Sequence, residues 1–66
     1  MQIVVNGAPT ELADATTVDQ LVSNLARRPQ GVAVAVNRSI IPRSQWRDTQ
    51  LRDRDQVEVL TAAPGG

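Results

Sequence analysis

Apolar residues recur with a period of two near both ends of the chain and with a helical period once in between. Met1, Ile3 and Val5 fall on one side of an extended segment and Gln2 and Val4 on the other, which predicts a strand over residues 1–5. Asn6-Gly7 follows, the pair best able to supply two positive φ angles in a tight hairpin turn. Thr10 to about Ala13 is then the return strand, with Pro9 beside the turn or at the strand start. From Thr17 the period changes. Val18, Leu21, Val22 and Leu25 recur at i, i+3, i+4 and i+7, an apolar stripe along one helix. Thr17 and Gln20 have the spacing of a capping box at its start. Arg27 and Arg28 suit the negative end of the helix, and Pro29 and Gly31 stop it.

The second half returns to strands. Val32, Val34 and Val36 alternate with Ala33 and Ala35, so both faces are apolar, which predicts a central strand with the helix on one side and little solvent on the other. Asn37-Arg38 turns the chain toward Ile40-Ile41-Pro42, which Pro42 confines to an edge or a short bridge. Ser44 is placed to cap a single turn holding Gln45 and Trp46. Asp53-Arg54-Asp55 reads as a turn before a last strand, Gln56 to Leu60, with Val57 and Val59 inward and Glu58 and Leu60 outward. The order is β-β-α-β-turn-β. Its compact solution is an α+β domain: a mixed sheet packed on one main helix, with first and last strands parallel at the centre and antiparallel neighbours outside. This resembles the β-grasp arrangement of ubiquitin-like domains, and the strand order is what that resemblance implies, since periodicity does not fix it. Residues 1–60 form the expected domain, and 61–66 a flexible C-terminal tail.

Composition narrows the chemistry. The 66-residue chain has no Cys and no His, and Trp46 is its only aromatic residue. It therefore has no thiolate nucleophile or soft metal ligand, and it lacks the usual general base near neutral pH. Lys is absent as well, which excludes Schiff-base chemistry and any side-chain amine that could accept an isopeptide bond. Asp48, Asp53 and Asp55 are the remaining candidates for acid–base work, although the last two read as turn residues. Seven basic and seven acidic residues leave no net charge to attract nucleic acid or an anionic membrane. No apolar run approaches a membrane span, and MQIVVNG lacks the form of a signal peptide, so the expected location is cytoplasmic. Self-contained catalysis is therefore not expected.

The opening MQIVVNG, then TTVDQLVSNL, GVAVAVN, IIPRSQW with its Pro42, Arg43 and Trp46, DQVEVLTA and the closing Gly65-Gly66 together resemble the ThiS-type sulfur carriers of thiamine biosynthesis, over the whole chain. The resemblance implies that the Gly66 carboxylate is adenylated with ATP by a ThiF-type partner enzyme. It implies further that a persulfide sulfur donor converts the adenylate to a thiocarboxylate, and that a ThiG-type thiazole synthase takes up the sulfur. No cofactor is expected to be bound by the chain itself; ATP and the sulfur donor are used by the partner. Sulfur carriage for molybdopterin or cysteine synthesis, and a ubiquitin-like modifier conjugated through Gly66, remain alternatives. A non-covalent binding module is disfavoured for nucleic acid by the neutral charge and the lack of stacking aromatics.

Gly65 and Gly66, lacking Cβ, can enter a narrow channel at whatever φ and ψ a partner demands. From Thr61 to Gly66 an extended tail reaches about 20 Å, at ~3.3–3.6 Å per residue. Pro64 departs from the usual pattern before the glycines. It pushes Ala63 toward extended backbone but also removes one main-chain donor. Leu60, outward-facing beside the tail, is the candidate partner interface. Trp46 is read as cover for one end of the core, and Arg43 and Arg47 as solvated surface or a local ion pair with Asp48.

Overall fold

Two hairpins made by the same turn chemistry frame the domain. The computed structural model describes residues 1–25 and 31–61. In it Asn6 and Gly7 take φ of 51° and 83°, and Asn37 and Arg38 take 50° and 71°. Such two-residue turns match the twist of the strands they join. The first joins β1 (Gln2–Val5) to β2 (Ala8–Glu11), and the second joins β3 (Val32–Val36) to β4 (Ser39–Ile41). The return strand β2 thus starts two residues before the expected Thr10 and ends at Glu11 rather than Ala13. A two-residue turn sets Ala8 opposite Val5, so pairing begins there. Pro9 is tolerated because it sits opposite Val4 in a pair of the non-hydrogen-bonded set, on an edge strand.

The sheet order is β2-β1-β5-β3-β4, where β5 is Gln56–Thr61. It lies parallel to β1 and antiparallel to β3, so the first and last strands form the parallel pair expected of the β-grasp arrangement. The helix α1 (Val18–Leu25) packs on one face, burying Val18, Leu21 and Val22 against Ile3, Val5, Val34, Val57 and Val59. Two expectations need correction here. Leu25, the fourth residue of the stripe, is 54% exposed. Among the described residues nothing covers the other sheet face: Ala33 is exposed, and β5 rather than β3 holds the centre. Alternating Ala and Val in β3 therefore marks an outer and an inner face, not burial on both. The helix stop expected at Arg27, Arg28 and Pro29 lies outside the described residues.

At the start of α1 the Thr17 N–H donates to Gln20 Oε1 (3.0 Å) and the Gln20 N–H donates to Thr17 Oγ1 (3.2 Å), a closed capping box. The described part of the helix, Val18–Leu25, begins with this tie, and forming the first turn is the costly step of helix formation. Thr17→Ala is expected to cost about 1 kcal/mol and to lower the thermal midpoint by roughly 4–8 °C. A melt followed by far-UV circular dichroism reads this directly, and an unchanged midpoint would show the box to be idle.

A 3-10 helix, Arg43–Asp48, closes one end of the core. Pro42 precedes it with no side-chain cap, so the expected cap Ser44 lies inside the helix instead; Pro42 already presets the extended backbone that the entry needs. Trp46 is 2% exposed, and its Nε1–H donates to the Ile41 carbonyl at 2.9 Å. Next comes Leu51, 3% exposed, a core residue with no periodic signal around it. It is held by main-chain bonds across the start of α1: the Val18 N–H donates to Thr49 O (2.9 Å) and the Leu51 N–H to Thr16 O (2.8 Å).

Candidate functional site

The alternation of β5 decides what surrounds the root of the tail. Val57 and Val59 are buried toward the helix, while Glu58 and Leu60 face the open side. Leu60 is 65% exposed. Its ladder partner on β3 is Ala33, and the next outward pair is Ala35 with Ile40 of β4, which is 78% exposed. Leu60, Ala33, Ala35 and Ile40 thus form an apolar strip across three strands of the uncovered face, with Glu58 opposite Ala35 at its border. The alternation within GVAVAVN and DQVEVL carries the signal for most of this strip. Ile40 was legible only as part of an edge strand, because its place beside Ala35 depends on the register of the second hairpin.

On the other side of the same root, Asn6 acts as more than a turn former. Its N–H donates to Val57 O (2.9 Å), its Nδ2 to Val59 O (3.1 Å), and its Oδ1 accepts the Val59 N–H (2.8 Å). One carboxamide therefore substitutes for the next residue of β1 and holds β5 up to two residues before Thr61. Asn37 does the same at the other end of the strand. Its N–H donates to Gln56 O (2.7 Å), its Oδ1 accepts the Gln56 N–H (2.9 Å), and its Nδ2 donates to Asp55 Oδ1 (2.9 Å). The strand that carries the tail is clamped at both ends by the first residue of a hairpin turn. The residue pattern marks both asparagines as turn formers alone; the second role depends on which strand lies beside the turn.

Toward the helix, a groove lined by Val5, Ala8, Leu21, Leu25, Val59 and Thr61 opens at the same end of the sheet. The acidic candidates are occupied otherwise. Asp53 Oδ1 accepts the Gln2 N–H (2.8 Å), and Asp55 Oδ2 accepts the Arg52 N–H (2.7 Å). Both carboxylates shape the turn into β5, and Asp48 is exposed. Arg43 and Arg47 are exposed too, and neither pairs with Asp48 among the described residues. Burial removes Trp46 from any interface. Among the described residues no three His, Cys, Asp or Glu side chains are grouped to hold a metal ion. Pro64, Gly65 and Gly66 lie outside the described residues.

Comparison with known proteins gives consistent findings. Residues 3–66 match the model of the ThiS family. Over 66 residues the chain is 36% identical to the sulfur carrier protein ThiS of Escherichia coli (strain K12), covering 100% of both. It is also 33% identical over 66 residues to a thiazole synthase of Magnetococcus marinus, of which it covers 20%. A crystal structure of the thiamine biosynthesis protein ThiS from Geobacter metallireducens shares the fold with a TM-score of 0.84 at 32% identity, and each chain is covered to 100%.

Proposed function

The chain belongs to the ThiS family, a sulfur carrier in thiamine biosynthesis and not an enzyme, and from that membership we propose that the Gly66 carboxylate is the group it carries sulfur on. A carboxylate is a poor electrophile until one oxygen becomes part of a leaving group. In the proposed sequence a carboxylate oxygen attacks the α-phosphorus of ATP on a ThiF-type enzyme, and pyrophosphate leaves. The terminal sulfur of a persulfide then attacks the acyl carbon, and AMP leaves. A thiolate cleaves the resulting acyl disulfide and releases the thiocarboxylate, which a ThiG-type thiazole synthase consumes.

The observation that carries this reading is the full-length match to a sulfur carrier, joined to a chain without Cys, His or Lys that has no side chain of its own for sulfur transfer. Similarity to part of a thiazole synthase supports the receiving partner, since covalent fusion suits a carrier and the enzyme it serves. The apolar strip of Leu60, Ala33, Ala35 and Ile40 is the proposed docking face. It lies beside the end of β5 on a sheet face that no described element covers.

Intact mass spectrometry after incubation with the ThiF-type enzyme, ATP and a persulfide donor tests the proposal. The expected product is heavier by the difference between one sulfur and one oxygen, with the change in the C-terminal peptide. A mass that stays constant, with an enzyme that loads another carrier under the same conditions, would sink it. A product heavier by a whole protein, joined through Gly66, would favour the modifier role instead.

A further inference from the structure

β5 meets β1 in a regular parallel ladder for as long as β1 lasts. The Val4 N–H donates to Asp55 O (2.9 Å) and the Asn6 N–H to Val57 O (2.9 Å). One step further, that pattern would have the Asn6 carbonyl accept the Val59 N–H and the Ala8 N–H donate to Val59 O. The turn prevents both. Asn6, with φ of 51°, opens the turn, and Ala8 is already paired with Val5 in the first hairpin. The Asn6 carboxamide supplies the two missing groups: Oδ1 accepts the Val59 N–H at 2.8 Å, and Nδ2 donates to Val59 O at 3.1 Å.

On the other side of β5 the Asn37 N–H donates to Gln56 O, so Gln56, Glu58 and Leu60 belong to the pairs bonded to β3, and Leu60 is tied to Ala33. The consecutive residues Val59 and Leu60 are thus held from opposite sides, Leu60 by a strand and Val59 by one side chain. Without the carboxamide, the main chain here is tied to β3 alone. Leu60 is 65% exposed, so apolar burial does little to keep this end of the strand from opening.

We propose that Asn6 is a positioning residue for docking of the carrier on its activating partner. Through Val59 its carboxamide fixes the end of β5, so that Leu60 stands in line with Ala33, Ala35 and Ile40 before the partner arrives. A strip already in order spares the complex the ordering cost that a frayed strand end adds to binding. The inference rests on the docking face proposed above and adds the residue that holds it in shape.

The two asparagine clamps provide the test. Asn6→Gly and Asn37→Gly each delete two side-chain hydrogen bonds from one end of β5, and glycine takes the positive φ that either turn needs. Gln56, the residue that Asn37 holds, lies four positions before Leu60. The full chain is followed by native-state hydrogen exchange of the Leu60 amide and by KM and kcat for adenylation by the ThiF-type enzyme. Asn6→Gly is expected to speed Leu60 exchange about ten-fold or more and to raise KM about 3- to 10-fold, with kcat within about two-fold of wild type. Asn37→Gly is expected to lower the melting midpoint by a similar amount yet to change Leu60 exchange and KM by less than about three-fold. Asn6→Asp keeps the turn and the acceptor of the Val59 N–H but sets an oxygen against the Val59 carbonyl. It should move both readouts in the direction of Asn6→Gly, and it decides the matter if that variant does not fold. Equal changes in the two glycine variants would make the carboxamide a matter of stability alone. Faster Leu60 exchange with an unchanged KM would separate the clamp from docking, and no change in either would show it to be idle; each of these overturns the inference. A wild-type chain that is not adenylated defeats the carrier reading with it, whereas an adenylated wild type with any of those patterns defeats the role of Asn6 alone.

Discussion

Trp46→Ala is expected to remove a large share of the domain's stability, from about a third to all of it. Removing a buried aromatic side chain costs about 3–5 kcal/mol through lost transfer energy and the cavity left behind. At roughly 0.05–0.15 kcal/mol per residue, a domain of this length holds about 3–10 kcal/mol in total. Trp46 is the largest fully buried side chain and the only aromatic one, so no neighbouring ring can shift into the space. The Ile41 carbonyl also loses the indole N–H that it accepts. Urea unfolding followed by far-UV circular dichroism measures the loss. Trp46→Phe, which keeps part of the volume and gives up the hydrogen bond, should fall between the two. A midpoint for Trp46→Ala within error of wild type would mean that the 3-10 helix does not close the core.

Much of this architecture is written in local patterns, because local forces decide it. The Thr17–Gln20 box, the positive-φ turns at Asn6-Gly7 and Asn37-Arg38, and the inward Val57 and Val59 each follow from the preferences of a few adjacent residues. What was not legible depends on neighbours distant in sequence. Leu51 is core because the strand-like segment around it ties to Thr16 and Val18, and nothing beside it in sequence signals that. Asn6 and Asn37 clamp β5 only because the sheet order brings it beside both turns. Ala33 looks like an interior residue by composition and is exposed because no layer covers its face among the described residues. For the site, Leu60 is read correctly from period two, whereas the strip around it needs the registers of two separate ladders. The role of Gly66 comes from the resemblance and the family, since chemistry at a main-chain terminus leaves no side-chain pattern to read.

That terminal role gives the second large effect. Deleting Gly66, or replacing it with Leu, is expected to abolish adenylation while the melting midpoint and far-UV spectrum stay those of wild type. Deletion draws the carboxylate back by one residue, about 3.3–3.6 Å. A misplacement of even ~1 Å at a reacting centre can cost on the order of a hundred-fold. Leu keeps the reach but adds a side chain to a position argued to pass through a narrow channel, and it loses the backbone freedom of glycine. Both changes leave every core residue of the described structure in place, so stability should move by no more than about 0.5 kcal/mol. Leu60→Glu supplies the contrast. Leu60 is 65% exposed, so the fold should again survive, but a charge on the docking strip weakens the encounter. That variant should raise KM for the carrier and leave kcat near wild type, because the reacting carboxylate is still delivered once the complex forms. Pyrophosphate exchange catalysed by the ThiF-type enzyme separates the two behaviours. Normal exchange with the Gly66 deletion would exclude the carboxylate-centred mechanism, and an unchanged KM for Leu60→Glu would move the docking face off the open side of the sheet.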